Sequence, residues 1–305
     1  MTPTVLFQDI RRWLGDEVVP YKWATAELVD YYNWTMDDLV RDTHYFDEAS
    51  TEAIVHETLV AGTPDYAFDE RILEIIEARI IGETINLTKY TYAELVALTH
   101  QWRFTESVTG TNLSFDATAD TIASTDDEIT DLSIFTAGEY IEVMGSTSNN
   151  ETYLIESVTS ELITVDDSFN PMPLTEVAGD QVVIKQLYTG TPMRFCTDYR
   201  QGYITLSPAP DEAGVLFLTC NRKQLTALTS ATISTETIPI NAQYHLGLID
   251  GIISKAYLKS MPNTFNIEKS QSHANSWLGT KEKVKRDLIR LHSKNRTAKP
   301  HNGCL

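Results

Sequence analysis

The side chains with the plainest chemical capacity are seven histidines, three cysteines and a few acidic clusters. The histidines are His44, His56, His100, His245, His273, His292 and His301. A zinc site needs nitrogen or sulfur ligands at short, regular spacing, and no HExxH, HxH or compact His/Cys group occurs. His100 stands near Trp102, but one histidine does not make a site. A GxSxG elbow, a phosphate-cradling loop and a dinucleotide fingerprint are all missing from the sequence. Cys196, Cys220 and Cys304 are odd in number and include no CxxC pair, which suits a reducing compartment. Cys196 and Cys220 fall in strand-like runs and are expected to be buried and inert. Asp126-Asp127-Glu128 and Asp166-Asp167 offer hard oxygen ligands, but neither follows the calcium-loop pattern, so they read as solvated turns. These patterns argue against an enzyme and predict no cofactor and no metal.

Charge distribution is the stronger signal. The 305 residues hold 24 Lys plus Arg against 43 Asp plus Glu, a net of −19. From Arg222 onward there are 13 basic and 5 acidic residues, a net of +8. The preceding part carries 11 basic and 38 acidic residues, a net of −27. An acidic body is a poor general binder of nucleic acid. The basic residues Lys281, Lys283, Lys285, Arg286, Arg290, Lys294, Arg296 and Lys299 crowd near the carboxyl end. With Leu288 and Leu291 as apolar anchors, a helix here suits docking on an acidic protein surface. DNA phosphate is an alternative partner, and a merely solubilised terminal helix is another.

The elements that must carry these residues follow from periodicity. Thr4 and Thr25 are candidate caps of two amino-terminal helices, the second from about Ala26 to Arg41. Ala53 to Val60 and Ile72 to Ile80 read as strands, and Thr91-x-x-Glu94 as a capping box. Residues 105–187 change texture: short alternating stretches rich in Thr, Ser and Asp, with Lys185 as the one basic residue. They predict a small β-barrel or sandwich. Strand patterns resume over Met193–Thr197, Tyr203–Leu206 and Val215–Cys220. Tyr244, Leu248, Ile252 and Ala256 then mark a helix, and Asn266 a cap for a last long one. Its expected stripe is Ala274, Trp277, Val284, Leu288 and Leu291, with Gly279 a weak point. No apolar run reaches the roughly 18 to 20 residues of a membrane span.

The ordered set of motifs resembles the head-to-tail adaptor proteins of tailed bacteriophages. The resemblance lies in the amino-terminal helix pair, Gly190-x-Pro192, Phe195-x-x-Asp198, Gly202-Tyr203-Ile204-x-Leu206-x-Pro208-x-Pro210-Asp211, Ile238-Pro239 and Tyr244-His245-x-x-Leu248. The middle piece is similar to a β module of virion proteins, through Gly138-Glu139-Tyr140-Ile141-x-Val143-x-Gly145-Ser146, Asn149-Asn150 and Tyr153-x-Ile155-x-Ser157-Val158. These pieces span about residues 1–295.

The resemblance implies an α+β fold. Amino- and carboxyl-terminal helices would form a helical body around a small antiparallel β domain, with a small all-β barrel or sandwich inserted. Residues 1–104 and 188–295 would be the adaptor core, 105–187 the insertion and 296–305 a flexible basic tail. Gly190, Pro192, Asp198, Gly202, Tyr203, Pro208 and Pro210 would shape the β domain rather than perform chemistry. The implied function is structural: a ring, usually of twelve copies, at the virion neck and assembled in the host cytoplasm. It would join the portal above to a tail tube, nozzle or other tail component below. DNA would pass through its channel without sequence-specific binding, and no membrane is involved. Residues 281–305 become the portal-contact candidates, removable with the core left folded. A carbohydrate-binding or carbohydrate-processing β protein is the alternative, favoured if carboxylates converge in an aromatic-walled cleft.

Overall fold

The computed structural model describes residues 1–83, 85–98, 101–126, 130–259 and 264–296, with side chains as far as Leu291. Helices α1 (Pro3–Leu14) and α2 (Thr25–Thr43) open the chain. Strand β1 (Phe46–Glu48), the single turn α3 (Glu52–Val55), and strands β2 (His56–Leu59), β3 (Asp65–Ala67), β4 (Ile72–Ile80) and β5 (Asn86–Lys89) follow. After α4 (Tyr92–Leu98) come β6 (Phe104–Gly110), β7 (Leu113–Asp116), β8 (Thr121–Ser124) and β9 (Tyr140–Met144). The run continues with β10 (Thr152–Val158), β11 (Leu162–Val165) and β12 (Val182–Leu187). Strands β13 (Arg194–Cys196), β14 (Tyr203–Ser207) and β15 (Gly214–Arg222) lead to helices α5 (His245–Ala256) and α6 (Ile267–Arg296).

This architecture corrects the expected helical body with a small antiparallel β domain. Among the described residues fifteen strands, in one sheet of eight and another of seven, outnumber six α-helices. The larger sheet runs β1-β15-β4-β5-β13-β14-β3, with β2 also paired to β15. It is mixed, because β5 and β13 pair in parallel, Thr88 opposite Arg194. Five of its strands have only three or four residues, and two of these, β1 and β5, fall where no alternation announces a strand. They exist because distant segments supply their hydrogen bonds. The stretch read as one strand from Ala53 to Val60 also divides, with Glu52–Val55 turning as helix before β2.

The described chain forms two compact units. One comprises 1–48, 71–74 and the chain from Cys220 onward; the other comprises 49–70 and 75–219. In the first, α5 is the central helix. Leu248, Ile252, Ile253 and Ala256 are buried among Leu6, Ile10, Leu28, Met36 and Trp277. Close approach is written into α5. A Cβ on Gly251 would stand 2.5 Å from Thr35 Cγ2 and 2.9 Å from the Trp277 ring. In the second unit, the seven-stranded sheet runs β6-β12-β9-β10-β11-β8-β7. Its two outermost strands, β6 and β7, are joined by only Thr111-Asn112, so the sheet must curl to bring them together. Alternation places Ile141, Val143, Tyr153, Ile155, Ile163, Val165 and Ile184 in one core.

Caps agree with the sequence in part. Thr91 and Glu94 form the reciprocal capping box, Glu94 N–H to Thr91 Oγ1 at 3.2 Å and Thr91 N–H to Glu94 Oε2 at 2.8 Å. Thr2, not Thr4, caps α1. Thr25 lies inside α2 and accepts a hydrogen bond from Arg11 instead.

Candidate docking surface

Helix α6 carries the basic candidates. Asn266 caps it as expected, accepting from Lys269 N–H at 2.9 Å. Trp277 and Val284 are buried and Leu288 is half-buried, whereas Ala274 and Leu291 are exposed. The expected five-residue stripe therefore reduces to three inward residues. The helix continues through Gly279 and beyond Ser293 to Arg296.

Lys281 faces inward. Its ammonium group pairs with Asp38 at 3.1 Å and with Asp42, and its side chain is only 11% exposed. Asp38 also accepts the Trp277 indole N–H at 2.7 Å. Lys281 is thus committed to the fold and leaves the docking set. The expectation that residues 281–305 are removable is corrected with it, because that cut deletes Val284 and Leu288 from the core.

Burial works against the Asp38 carboxylate, but the hydrogen bonds from Trp277 and Lys281 outweigh it and hold its pKa below the ordinary value. A carboxylate depressed in the folded state stabilises above its unfolded pKa and loses that contribution as pH falls through the folded one. Urea midpoints measured from about pH 5 down to about pH 2 should therefore fall less steeply for Asp38→Asn than for the native chain. Identical slopes would show that this pair contributes nothing to acid sensitivity.

The remaining basic residues divide between two faces. Lys285, Arg286 and Ile289 are exposed on the outer face, with Ile289 67% exposed. On the other, Asp287, Leu288, Arg290 and Leu291 border a groove of about 520 Å³ whose opposite wall includes Tyr45, Asn241 and Tyr244. Tyr244 Oη donates to Asp287 at 2.9 Å, and Lys283 sits over the Tyr244 ring at 5.9 Å. Arg290 is 3.9 Å from Asp287, with its side chain largely in solvent. Lys294 and Arg296 belong to the last turns of α6, and Lys299 lies outside the described residues.

The β motif residues sit at turns and junctions of the second unit. Asp198 accepts the Tyr92 N–H at 2.8 Å, at the start of α4. Gly202 has φ +79°, a left-handed value that disfavours any side chain. Gly190 N–H donates to Ala209, while Pro192, Pro208 and Pro210 are buried. The Tyr203 ring lies under Arg200 at 3.7 Å. Cys196 and Cys220 are fully buried, as expected, and burial pushes the Cys196 thiol up to about 11.

Four histidines have local partners: His44 with Glu74, His56 with Glu52, His273 with Asp250, and His245 with the Ile240 carbonyl. His100, Asp127 and Glu128 lie outside the described residues. Asp166 is engaged by the Ser168 N–H and hydroxyl. Among the described residues no group of three or more His, Cys, Asp or Glu side chains is arranged to hold a metal. Also among these residues, no helix is long and apolar enough to cross a membrane.

Sequence reasoning missed Arg103. It makes a forked contact to Asp65, at 2.9 and 3.2 Å, and reaches Glu142 at 3.4 Å. Nothing in the spacing of residues 65, 103 and 142 announces such a fork. No family model matches this chain, and no curated protein matches it either.

Proposed function

We propose that the protein is a structural connector of a phage virion: copies arranged in a ring between the portal and the tail, keeping a channel open for DNA. The observation that carries this reading is the outer face of α6, where exposed Lys285 and Arg286 flank exposed Ile289 on a chain that is otherwise strongly acidic. A basic rim around an apolar anchor suits an acidic protein partner, because charge steers the encounter and the anchor holds the complex. The portal is that partner in this reading. The ordered Gly190 to Asp211 motif, set at turns, suits a scaffold rather than a catalyst.

Electron microscopy of the native assembly tests the ring, its copy number and its neighbours together. Binding to isolated portal rings tests the face. The triple variant Lys285→Glu, Arg286→Glu, Ile289→Asp alters only exposed residues and should keep the unfolding transition. Its portal affinity should drop at least tenfold, more steeply at low salt. Unchanged affinity would remove α6 from the portal contact.

A further inference from the structure

We infer that copies of this chain join head to tail, with the apolar loop Glu17–Tyr21 of one seated in the Tyr244–Leu291 groove of the next. The inference rests on the ring reading and supplies the two faces that would close the ring.

The loop is an exposed apolar projection on a fixed base. Val18 is 80% exposed and Val19 71%, and Tyr21 and Trp13 are also open to solvent. Yet the base is held from inside. Buried Asp16 accepts the Lys22 N–H at 2.7 Å and the Trp23 N–H at 3.2 Å, and pairs with Arg11 at 2.8 Å. Arg11 also reaches the Trp23 carbonyl at 3.0 Å and lies 3.6 Å from the Tyr21 ring centroid. A buried ion pair contributes little net stability, so its consequence here is shape. A loop already held in one conformation loses little entropy on docking.

Position then decides the geometry. The loop base is tied to the carboxyl end of α5: Trp23 Nε1 donates to the Ala256 carbonyl at 3.0 Å, and Lys259 to the Lys22 carbonyl at 2.7 Å. The groove lies at the other end, where Tyr244 precedes α5 and bonds Asp287. Twelve helical residues separate these ends by about 18 Å, so the loop does not fill the groove of its own chain. Two different faces at opposite ends of one unit make a heterologous contact, which propagates into a ring or a filament rather than closing as a symmetric pair. Charge agrees: Glu17, 3.6 Å from Arg12 but with most of its side chain in solvent, stands beside the apolar tip, whereas Lys283 and Arg290 stand at the groove against the single acid Asp287. The groove also uses the side of α6 away from Lys285, Arg286 and Ile289, so portal and neighbour need not compete.

Disulfide trapping tests the pairing. Cys304→Ser is introduced first, and the two remaining native cysteines are buried. One preparation then carries Val19→Cys and another Leu291→Cys, each confirmed folded by circular dichroism. Mixed at high concentration with oxidised glutathione as the electron acceptor, they should form a disulfide-linked dimer at least ten times more abundant than in either preparation alone. A chain carrying both substitutions should give a ladder of higher oligomers. Glu17→Arg should suppress trapping, and Arg290→Glu on the partner should restore it. Equal cross-linking by Val19→Cys alone, or none in the mixture, would overturn the inference. Portal binding by the same preparations separates the two readings. Binding without trapping sinks the head-to-tail contact alone, while trapping without binding sinks the placement beneath a portal.

Discussion

Replacing Arg103 with alanine is expected to destabilise the second unit by about 3–5 kcal/mol, the range for breaking a buried ion pair from one side. The Arg103 side chain is 9% exposed and that of Asp65 16%, so neither charge is well hydrated when its partner is lost. Asp65 would keep only the Thr205 hydroxyl, at 2.6 Å, and its carboxylate would remain buried. Burial alone would lower the Arg103 pKa, but Asp65 and Glu142 reverse that and raise it. The residue lies just before β6, and its fork ties β3 to Glu142 on β9. Lysine should recover little, because a point charge cannot make the forked contact. Denaturant unfolding of Arg103→Ala, Asp65→Ala and the double variant measures the coupling. Strictly additive losses would show that the two side chains do not act as a pair.

Valine at Gly251 is expected to cost about 3 kcal/mol or more, at the upper end of overpacking penalties. The neighbours cannot retreat. Thr35 is fully buried and its hydroxyl donates to the Tyr31 carbonyl at 2.6 Å. The Trp277 ring is fixed by its bond to Asp38. Seating a side chain would therefore push α5 away from α2 and α6, and expose Leu248 and Ile252 with them. Thermal unfolding reads the loss, and Gly251→Ala should fall between the native chain and the valine variant. A valine variant as stable as the native chain would mean that the three helices shift apart without loss.

These two positions differ in how they are written in the sequence. Gly251 lies within a visible apolar helix, among Leu248, Ile252 and Ile253, so its burial is legible although its neighbours are not. Arg103 follows Trp102 in a stretch without periodicity, and its partners lie 38 and 39 residues away in opposite directions along the chain. Lys281 misled for a related reason. Its neighbours Lys283 and Lys285 are exposed, so composition placed all three on one docking surface. One turn of helix aims Lys281 at Asp38 and Asp42 instead.

The sequence by itself determined what local rules control. The helix periods of α2, α5 and α6 are set by apolar spacing, and the Thr91–Glu94 box by two residues three apart. The alternation of β9 to β11 and the acidic-to-basic polarity of the chain are equally local facts. Only the tertiary structure decided how much sheet there is. Strands of three and four residues such as β1 and β5 have no periodicity of their own, and form because a distant strand offers its hydrogen bonds. It also decided which charges are spent inside the fold and which face outward, since pairing depends on distance in space rather than separation in sequence.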